Sequence, residues 1–173
     1  CKLKNKNFFK PYIEPEISFR IRDDININKG PYRFEDANIL FDFMFPSIEL
    51  VDFRFGTNIT KIGINNLIST NGASDFYIKG DNLYNLDEIN LNDQIVKLHI
   101  NNKIAEEGNT NLVLENPINS AIWLINKLVN LGEPMLKGQF ISTGTCTKAV
   151  KLLENSLIYA DFGNLGVVEF EYN

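Results

Sequence analysis

The sequence predicts an α+β domain that is mostly β. Short segments in which apolar and polar residues alternate recur along the chain, and two segments carry apolar residues at helical spacing. No internal repeat, proline-rich linker or long run of one charge divides the 173 residues, so we predict a single domain over residues 1–173. A chain of this length can bury a full hydrophobic core.

The clearest strand pattern lies near the start of the chain. Residues 1–10 contain four lysines and no acidic residue, which predicts a solvated lead-in. Between Tyr12 and Ile27, apolar and polar side chains then alternate. The apolar set is Ile13, Pro15, Ile17, Phe19 and Ile21, and the polar set is Glu14, Glu16, Ser18, Arg20 and Arg22. We therefore predict a half-buried strand with one apolar and one polar face.

A helix is predicted from Phe34 to Phe45, after the break at Gly30-Pro31. Acidic residues at its start suit the positive end of a helix dipole, and Pro46 ends the pattern. The residues at helical intervals are Ala37, Leu40, Phe41 and Met44. The following segment, Ser47 to Phe55, has the alternation of a strand.

A second helix is predicted after Asn116-Pro117, because proline is favoured in the first turn. Gly132 ends this helix, and we expect Trp123 to pack within the protein. The apolar stripe comprises Ala121, Leu124, Ile125, Leu128 and Val129.

The remaining predicted strands form hairpins. Gln94 to Ile100 alternates, and Asn101-Asn102 provides a tight turn into a return strand at Lys103 to Glu106. The last three strands are predicted at Gln139–Ser142, Ser156–Phe162 and Gly166–Tyr172. Short strands therefore dominate the prediction.

The composition argues against several classes of protein. With 17 basic and 22 acidic residues the net charge is −5, which is unfavourable for a nucleic-acid partner. The longest apolar runs, such as residues 121–125, are far shorter than the roughly 20 residues that cross a bilayer. The two cysteines, Cys1 and Cys146, cannot form a dense disulfide framework, so we expect free thiols and a cytoplasmic location.

A carboxylate pair at Glu14 and Glu16 is the most informative chemical feature. Residues i and i+2 of a strand share one face, with Cβ atoms roughly 7 Å apart. A hard divalent cation such as Mg²⁺ or Mn²⁺ would relieve their repulsion, and Glu49 is a candidate for a third oxygen ligand. The competing interpretation is that alternating glutamates only form the solvent-exposed face of a strand.

Other catalytic arrangements are less well supported. His99 is the one histidine, which excludes a multi-histidine zinc site and favours a structural role. Cys146 has no activating neighbourhood in the sequence beyond Lys148, which disfavours a nucleophilic role. No glycine-rich phosphate-binding pattern is present.

Several segments in order carry a resemblance to a known family. They are residues 13–19 (IEPEISF), 48–54 (IELVDFR), 116–124 (NPINSAIWL), 131–134 (LGEP), 138–144 (GQFISTG) and 160–166 (ADFGNLG). From about Phe9 to the end, the chain resembles the 2-keto-4-pentenoate hydratase family, which includes 4-oxalocrotonate decarboxylases, within the fumarylacetoacetate hydrolase superfamily. The resemblance implies a fumarylacetoacetase C-terminal-like rolled, mixed β-sheet with two main helices.

The resemblance also implies a metal centre and a substrate class. Glu14, Glu16 and Glu49 would be the three carboxylate ligands of Mg²⁺ or Mn²⁺. The ion would chelate a small 2-oxo acid through its carboxylate and keto oxygens, and the reaction would pass through a dienolate of the substrate. The family's N-terminal region, roughly a third of the usual chain, is expected to be absent before Cys1.

Further site residues are implied by the family pattern after the third glutamate, which reads Trp-Lys, then Asp, then Ala-Asp-Asn-Ala-Ser. This chain has Lys61, Asn66 and, at residues 69–74, Ser-Thr-Asn-Gly-Ala-Ser, so two acidic positions are replaced. On this match Ser74 and Lys61 are expected to be catalytic, and the expected substrate-binding residues are Asn71, Thr143 and Gly144.

Hydration of a 2-hydroxypenta-2,4-dienoate-type acid is the first functional hypothesis. A decarboxylase of the 4-oxalocrotonate type uses the same chemistry, and a non-catalytic relative that serves as a structural module is a second alternative. A hydrolase of 1,3-diketone acids is disfavoured, because that branch has a Lys shortly before an Asp-Thr pair where this chain has residues 72–75 (GASD). We also expect a homo-oligomer, because Phe34, Phe41, Phe43 and Phe45 exceed what one core-facing stripe requires. The alternative is that these rings are buried within one chain.

Overall fold

The protein folds around two β-sheets and one long helix. The structure, a computed structural model, describes residues 2–4, 8–55 and 59–173. The strands are β1 (Lys2–Leu3), β2 (Pro11–Ile21), β3 (Phe41–Asp52), β4 (Ser74–Lys79), β5 (Ile95–Ile100), β6 (Lys103–Asn109), β7 (Phe140–Thr145), β8 (Val150–Lys151), β9 (Ser156–Asp161) and β10 (Val167–Tyr172). The helices are α1 (Ala37–Leu40), α2 (Ile59–Ile62), α3 (Ile64–Ser69) and α4 (Pro117–Leu131). The predicted α+β, mostly β class is confirmed.

The two sheets differ in strand direction. The first has the order β1-β10-β9-β5-β6, and its β1 runs parallel to β10 while the other pairs are antiparallel. The second has the order β4-β3-β2-β7, with β8 also paired to β2, and is antiparallel throughout. The long strands β2 and β3 therefore lie at the centre of the second sheet.

Strand β2 has the two faces that its alternation predicts. Ile13, Ile17 and Phe19 have no exposed surface and join a core cluster with side chains of the first sheet and of α4. The strand ends at Ile21, earlier than the predicted Ile27. The polar face of β2 lies on the side of the second sheet away from this core.

The predicted helix from Phe34 to Phe45 is wrong. A short 3₁₀ turn at Phe34–Asp36 and the four residues of α1 are followed by β3, which begins at Phe41. Phe41, Phe43 and Phe45 suit a pleated strand, and pairing with β2, interrupted by one register shift at Arg20 and Ile21, outweighs the weak local helical spacing. The predicted strand at 47–55 is the second part of β3.

The four phenylalanine rings on which the predicted oligomer rested differ in their burial. Phe41 and Phe45 are fully buried within the chain and Phe43 is partly exposed, whereas Phe34 is 44% exposed. Two of the four rings are thus explained by packing within the protein itself.

None of the helices in the described ranges is long and apolar enough to cross a membrane.

The predicted second helix is confirmed as α4. The side chain of Asn116 accepts a hydrogen bond from the main-chain N–H of Ile118 at 2.9 Å, and Gly132 ends the helix with φ of 75°. Ala121 and Ile125 of this helix are fully buried. The expectation that Trp123 packs within the protein is wrong, because its side chain is 62% exposed.

The predicted hairpin between β5 and β6 is also confirmed. Asn101 and Asn102 adopt φ values of 49° and 63°, as a two-residue hairpin turn requires. The last three predicted strands correspond to β7, β9 and β10. The structure also contains strands β1, β4 and β8, which the sequence pattern did not predict.

Candidate metal and substrate site

Three glutamates meet on the polar face of the second sheet, where Glu16 is buried and Glu14 and Glu49 are partly exposed. Glu14 and Glu16 lie two residues apart on β2, and Glu14 pairs directly with Glu49 on β3. One carboxylate oxygen from each residue can be chosen so that all three lie within 4.8 Å of one another. The antiparallel register therefore converts an i, i+2 pair and a distant residue into one carboxylate cluster.

Burial and mutual repulsion make this cluster unfavourable as three bare anions. The pKa of Glu14 is raised to about 6, first by burial and then by the charge of Glu49. The pKa of Glu16 is raised to about 7, mainly by burial, while hydrogen bonds from Ser142 and Gly144 oppose the rise. Protonation of one carboxylate, or binding of a cation, would relieve the repulsion among the three carboxylates.

Glu16 is held by donors from β7. Its Oε2 accepts hydrogen bonds from the Ser142 hydroxyl and, at 3.0 Å, from the main-chain N–H of Gly144. The register between β2 and β7 shifts here, since Ser18 pairs with Ser142 and Glu16 pairs with Thr145. This irregularity places two donors of β7 on one carboxylate.

A chain of hydroxyl groups lies beside the carboxylates. The Tyr77 hydroxyl donates to Ser18 Oγ at 2.6 Å, and Ser18 Oγ lies 2.8 Å from Ser47 Oγ. The Ser47 hydroxyl also lies 3.3 Å from the main-chain carbonyl oxygen of Glu16 and donates to it. Burial and the charges of Glu16 and Glu49 raise the pKa of Tyr77, so the phenol stays protonated at neutral pH.

The predicted site residues on β7 have different surroundings. The main chain of Gly144 contacts Glu16 directly. The hydroxyl of Thr143 is buried and donates to the carbonyl oxygen of Ile17 at 2.8 Å, while its own carbonyl accepts from Ser120. The Thr143 hydroxyl is therefore held within the fold, with its proton committed to the main chain of β2.

The predicted catalytic residues lie on the segment that precedes and begins β4. Ser74 is half-buried and pairs with Val51, two residues along β3 from Glu49. Asn71 is exposed with φ of 54°, and Lys61 is exposed on α2. Glu14, Glu16 and Glu49 form the group that the structure brings together, and of Ser74, Asn71 and Lys61 it is Ser74 that lies nearest to them in register.

Sequence reasoning missed the hydroxyl donors around the carboxylates. Ser18 follows Glu16 by two residues on the polar face of β2, so the alternation already placed it there. Ser142 lies inside the 138–144 segment that carried the family resemblance. Tyr77 had no signal, because the face of β4 depends on its pairing with β3.

The two remaining chemically active side chains lack a catalytic setting. Cys146 is fully buried, and burial followed by the charge of Glu16 raises its pKa to about 12, so the thiol stays protonated. His99 lies in the first sheet with its ring against Tyr159, at 5.5 Å between centroids. Both arrangements support structural roles.

The donor set fits a hard divalent cation. Three carboxylates and neighbouring hydroxyl groups offer only oxygen, which Mg²⁺, Mn²⁺ and Ca²⁺ prefer. The cluster lies on a sheet face and is partly open, since Glu14 and Glu49 are only half-buried. A small acid could reach an ion held there.

Comparison with curated proteins identifies related sequences. No family model matches the chain. It is 30% identical over 162 residues to 4-oxalocrotonate decarboxylase of Pseudomonas putida, which covers 94% of this chain and 60% of that protein. It is 26% identical over 160 residues to 2-keto-4-pentenoate hydratase 1 of Dechloromonas aromatica, at 92% and 59% coverage. The chain thus spans about 60% of the length of the curated relatives it matches.

Solved structures show the same relationship. Two structures of 4-oxalocrotonate decarboxylase from Pseudomonas putida G7 superpose with TM-scores of 0.88 and 0.86 at 26% identity. Each superposition covers 99% of this chain. The first structure, a complex with calcium and acetate, is covered over 63% of its length, and the second, a complex with magnesium and adipate, over 64%. Over about 60% of their length, the chain is therefore similar in sequence and in fold to 4-oxalocrotonate decarboxylases and 2-keto-4-pentenoate hydratases.

Proposed function

We propose that this chain carries the metal site of a lyase that acts on a small 2-oxo or 2-hydroxy-dienoic acid. The single observation that carries the proposal is the convergence of Glu14, Glu16 and Glu49 within 4.8 Å on one sheet face. These residues would hold one Mg²⁺ or Mn²⁺. A bound ion would supply Lewis-acid polarisation of the acid's carboxylate and keto oxygens.

The protein's own groups would orient the site. Ser142 and Gly144 hold Glu16 by one oxygen, which fixes the direction of its carboxylate. Tyr77, Ser18 and Ser47 support the neighbouring strands through linked hydroxyl groups. We keep Ser74 and Lys61 as proposed catalytic residues and Asn71 as a proposed substrate contact, since all three lie on the segment before or at the start of β4.

Hydration is the main proposal and decarboxylation the second candidate. Relatives of both kinds match the chain, and both reactions begin with the same chelated 2-oxo acid. Decarboxylation is favoured by one observation, the TM-score of 0.88 to a 4-oxalocrotonate decarboxylase. The third candidate, a structural module without activity, would retain the fold without turnover.

A coupled assay separates these candidates. The chain is supplied with Mg²⁺ and either 2-hydroxypenta-2,4-dienoate or 2-oxo-3-hexenedioate, and hydration product and CO₂ are measured separately. In parallel, Mn²⁺ binding is followed by electron paramagnetic resonance. Binding with neither product would leave the structural module as the surviving candidate.

Variants test the ligand assignment. Glu16→Gln and Glu49→Gln each remove one carboxylate, so Mn²⁺ affinity and any turnover should fall together. Glu169→Gln is the matched control, because Glu169 is exposed on β10 of the other sheet. Unchanged Mn²⁺ affinity in both site variants would rule out the proposed metal centre.

We also propose that the chain is an oligomer in the cytoplasm. The support is exposed apolar surface, since Ile64 and Ile68 of α3 are each 67% exposed and Phe76 of β4 is 40% exposed. Light scattering across a dilution series tests the oligomer, and a monomer at every concentration would reject it. The cytoplasmic location rests on the free, reduced Cys146.

A further inference from the structure

Lys79 lies on the same sheet face as the carboxylate cluster. Glu16 pairs with Ser47 on β3, and Ser47 pairs with Lys79 on β4, so the three side chains share one row and one face. Neighbouring strands are about 4.8 Å apart, which places the Lys79 Cα about 10 Å from the Glu16 Cα. A ligand bound at the carboxylates would extend over this row.

The ammonium group of Lys79 is positioned by two aromatic rings. Its Nζ lies 5.3 Å from the centroid of Phe45 and 5.9 Å from that of Phe140. The two rings pack edge to face at 5.4 Å, and Phe45 has no exposed surface. Both distances are within the range of a cation–π contact, so the charge is held over the sheet face.

The position of Phe45 fixes where along the sheet this charge lies. Phe45 precedes Ser47, the partner of Glu16, by two residues, which is about 7 Å of strand. The ammonium is therefore displaced from the carboxylates along the strands by about the length of a short carbon chain. A ligand with charged groups at both ends could contact both places.

Lys79 is also available as a charge partner. None of the ion pairs among the described residues includes it. Arg20, the other cation on this face of β2, β3, β4 and β7, is committed to Asp42 through contacts of 2.6 and 3.0 Å. Within these four strands, Lys79 is the cation that has no anion of its own.

The charges of the site explain why a ligand would need this lysine. Three carboxylates and one divalent ion leave a net charge of −1, and a bound 2-oxo acid adds another negative charge. A second carboxylate on the ligand would be repelled unless a cation meets it. We propose that Lys79 is a specificity-determining residue that binds the distal carboxylate of a dicarboxylic 2-oxo acid. This inference rests on the proposed function of the same site.

Two probes that differ only in the distal carboxylate test the proposal. The Mn²⁺-loaded chain is titrated calorimetrically with 2-oxohexanedioate and with 2-oxohexanoate. We expect the dicarboxylate to bind about three- to tenfold more tightly, as a partly exposed charge pair allows. The preference should shrink as KCl is added, because salt screens exposed charges.

Lys79→Met removes the charge and keeps the length of the side chain. The variant should lose the preference by weakening the dicarboxylate alone, and Lys79→Arg should retain much of it. Lys127→Met on α4 is the matched control and should behave as the unchanged chain, because Lys127 is exposed on a different element. Thermal unfolding of each variant reports whether the fold is intact, and the salt series on the unchanged chain tests the pair without any substitution.

The outcomes separate this inference from the proposed function. If Mn²⁺ and both probes bind with no salt-sensitive preference, or if Lys79→Met weakens both probes equally, the inference is overturned and the metal site stands. If Mn²⁺ binds and neither probe does, or if Mn²⁺ does not bind, the proposed function fails and the inference with it. A preference that is lost in Lys79→Met and kept in Lys127→Met supports the role of Lys79.

Discussion

The main-chain N–H of Gly144 donates a hydrogen bond to Oε2 of Glu16 at 3.0 Å, across the irregular pairing of β2 and β7. Gly144 has φ of 111°, a backbone conformation that side-chain-bearing residues rarely adopt. The glycine therefore allows β7 to turn an N–H toward a carboxylate of the neighbouring strand.

Replacement of Gly144 should affect both stability and the metal site. Gly144→Ala has space for a Cβ, whose nearest atom is Val113 Cγ1 at 3.8 Å, so backbone strain of about 1 kcal/mol is the expected cost. Relief of that strain would rotate the N–H away from Glu16, and Mn²⁺ affinity should fall. Gly138→Ala is the control, because it has φ of 81° and no atom within 4 Å of its Cβ. A similar fall in affinity for Gly138→Ala would contradict the role of the Gly144 N–H.

Stability of the metal-free chain should fall as pH rises. The pKa of Glu16 is raised from 4.5 to about 7 in the folded state, so the folded chain retains a proton that the unfolded chain loses. The resulting loss in the free energy of unfolding is absent below about pH 4.5, grows as pH rises and is complete above about pH 7. Its magnitude is on the order of 3 kcal/mol.

Urea denaturation in the presence of EDTA, at several pH values, measures this effect. Glu16→Gln should weaken the dependence of the free energy of unfolding on pH. Saturating Mg²⁺ should reverse the direction of that dependence, because cation binding favours the ionised carboxylates. A free energy of unfolding that is constant from pH 4.5 to pH 7 in EDTA would show that Glu16 is not held in an unfavourable charged environment.

The hydroxyl of Ser142 should contribute to metal affinity through Glu16. Ser142→Ala removes a donor to the carboxylate, and loss of such a supporting hydrogen bond lowers metal affinity by about tenfold. Mn²⁺ titration of the variant measures the change. Ser156→Ala is the comparison, because Ser156 Oγ is buried without a hydrogen-bond partner, and its removal should leave Mn²⁺ affinity unchanged and stability equal or higher. Equal Mn²⁺ affinity in the two variants would argue against the prediction.

The N-terminus of α4 should depend on Asn116. Its side chain accepts from the N–H of Ile118 and donates to Asn92 Oδ1 at 2.8 Å, so it joins the helix to the preceding loop. Asn116→Ala should lower the free energy of unfolding by about 1–2 kcal/mol, measured by chemical denaturation. Asn130→Ala, at an exposed position near the other end of the helix, should have a smaller effect. An equal loss for both variants would mean that the cap contributes nothing specific.

Local pattern was sufficient to predict several elements of this protein. The alternation of β2 predicted its two faces, because side chains of a strand point to opposite sides whatever it pairs with. The limits of α4 followed from Asn116, Pro117 and Gly132, since capping acts between residues close in sequence. The family resemblance then supplied the proposed ligand set, which neighbouring residues alone left open between a metal site and a wet strand face.

Only the tertiary structure decided the features that depend on pairing. The segment from Phe41 to Phe45 is a strand because β2 lies beside it, and no pattern within the segment contains that partner. The contacts of Glu16 with Ser142 and Gly144, and the placement of Lys79 in its row, depend on register between strands distant in the chain. A shift of one residue in either pairing would turn these side chains to the opposite face, so local sequence determined the faces of single strands and only long-range register could assemble the site.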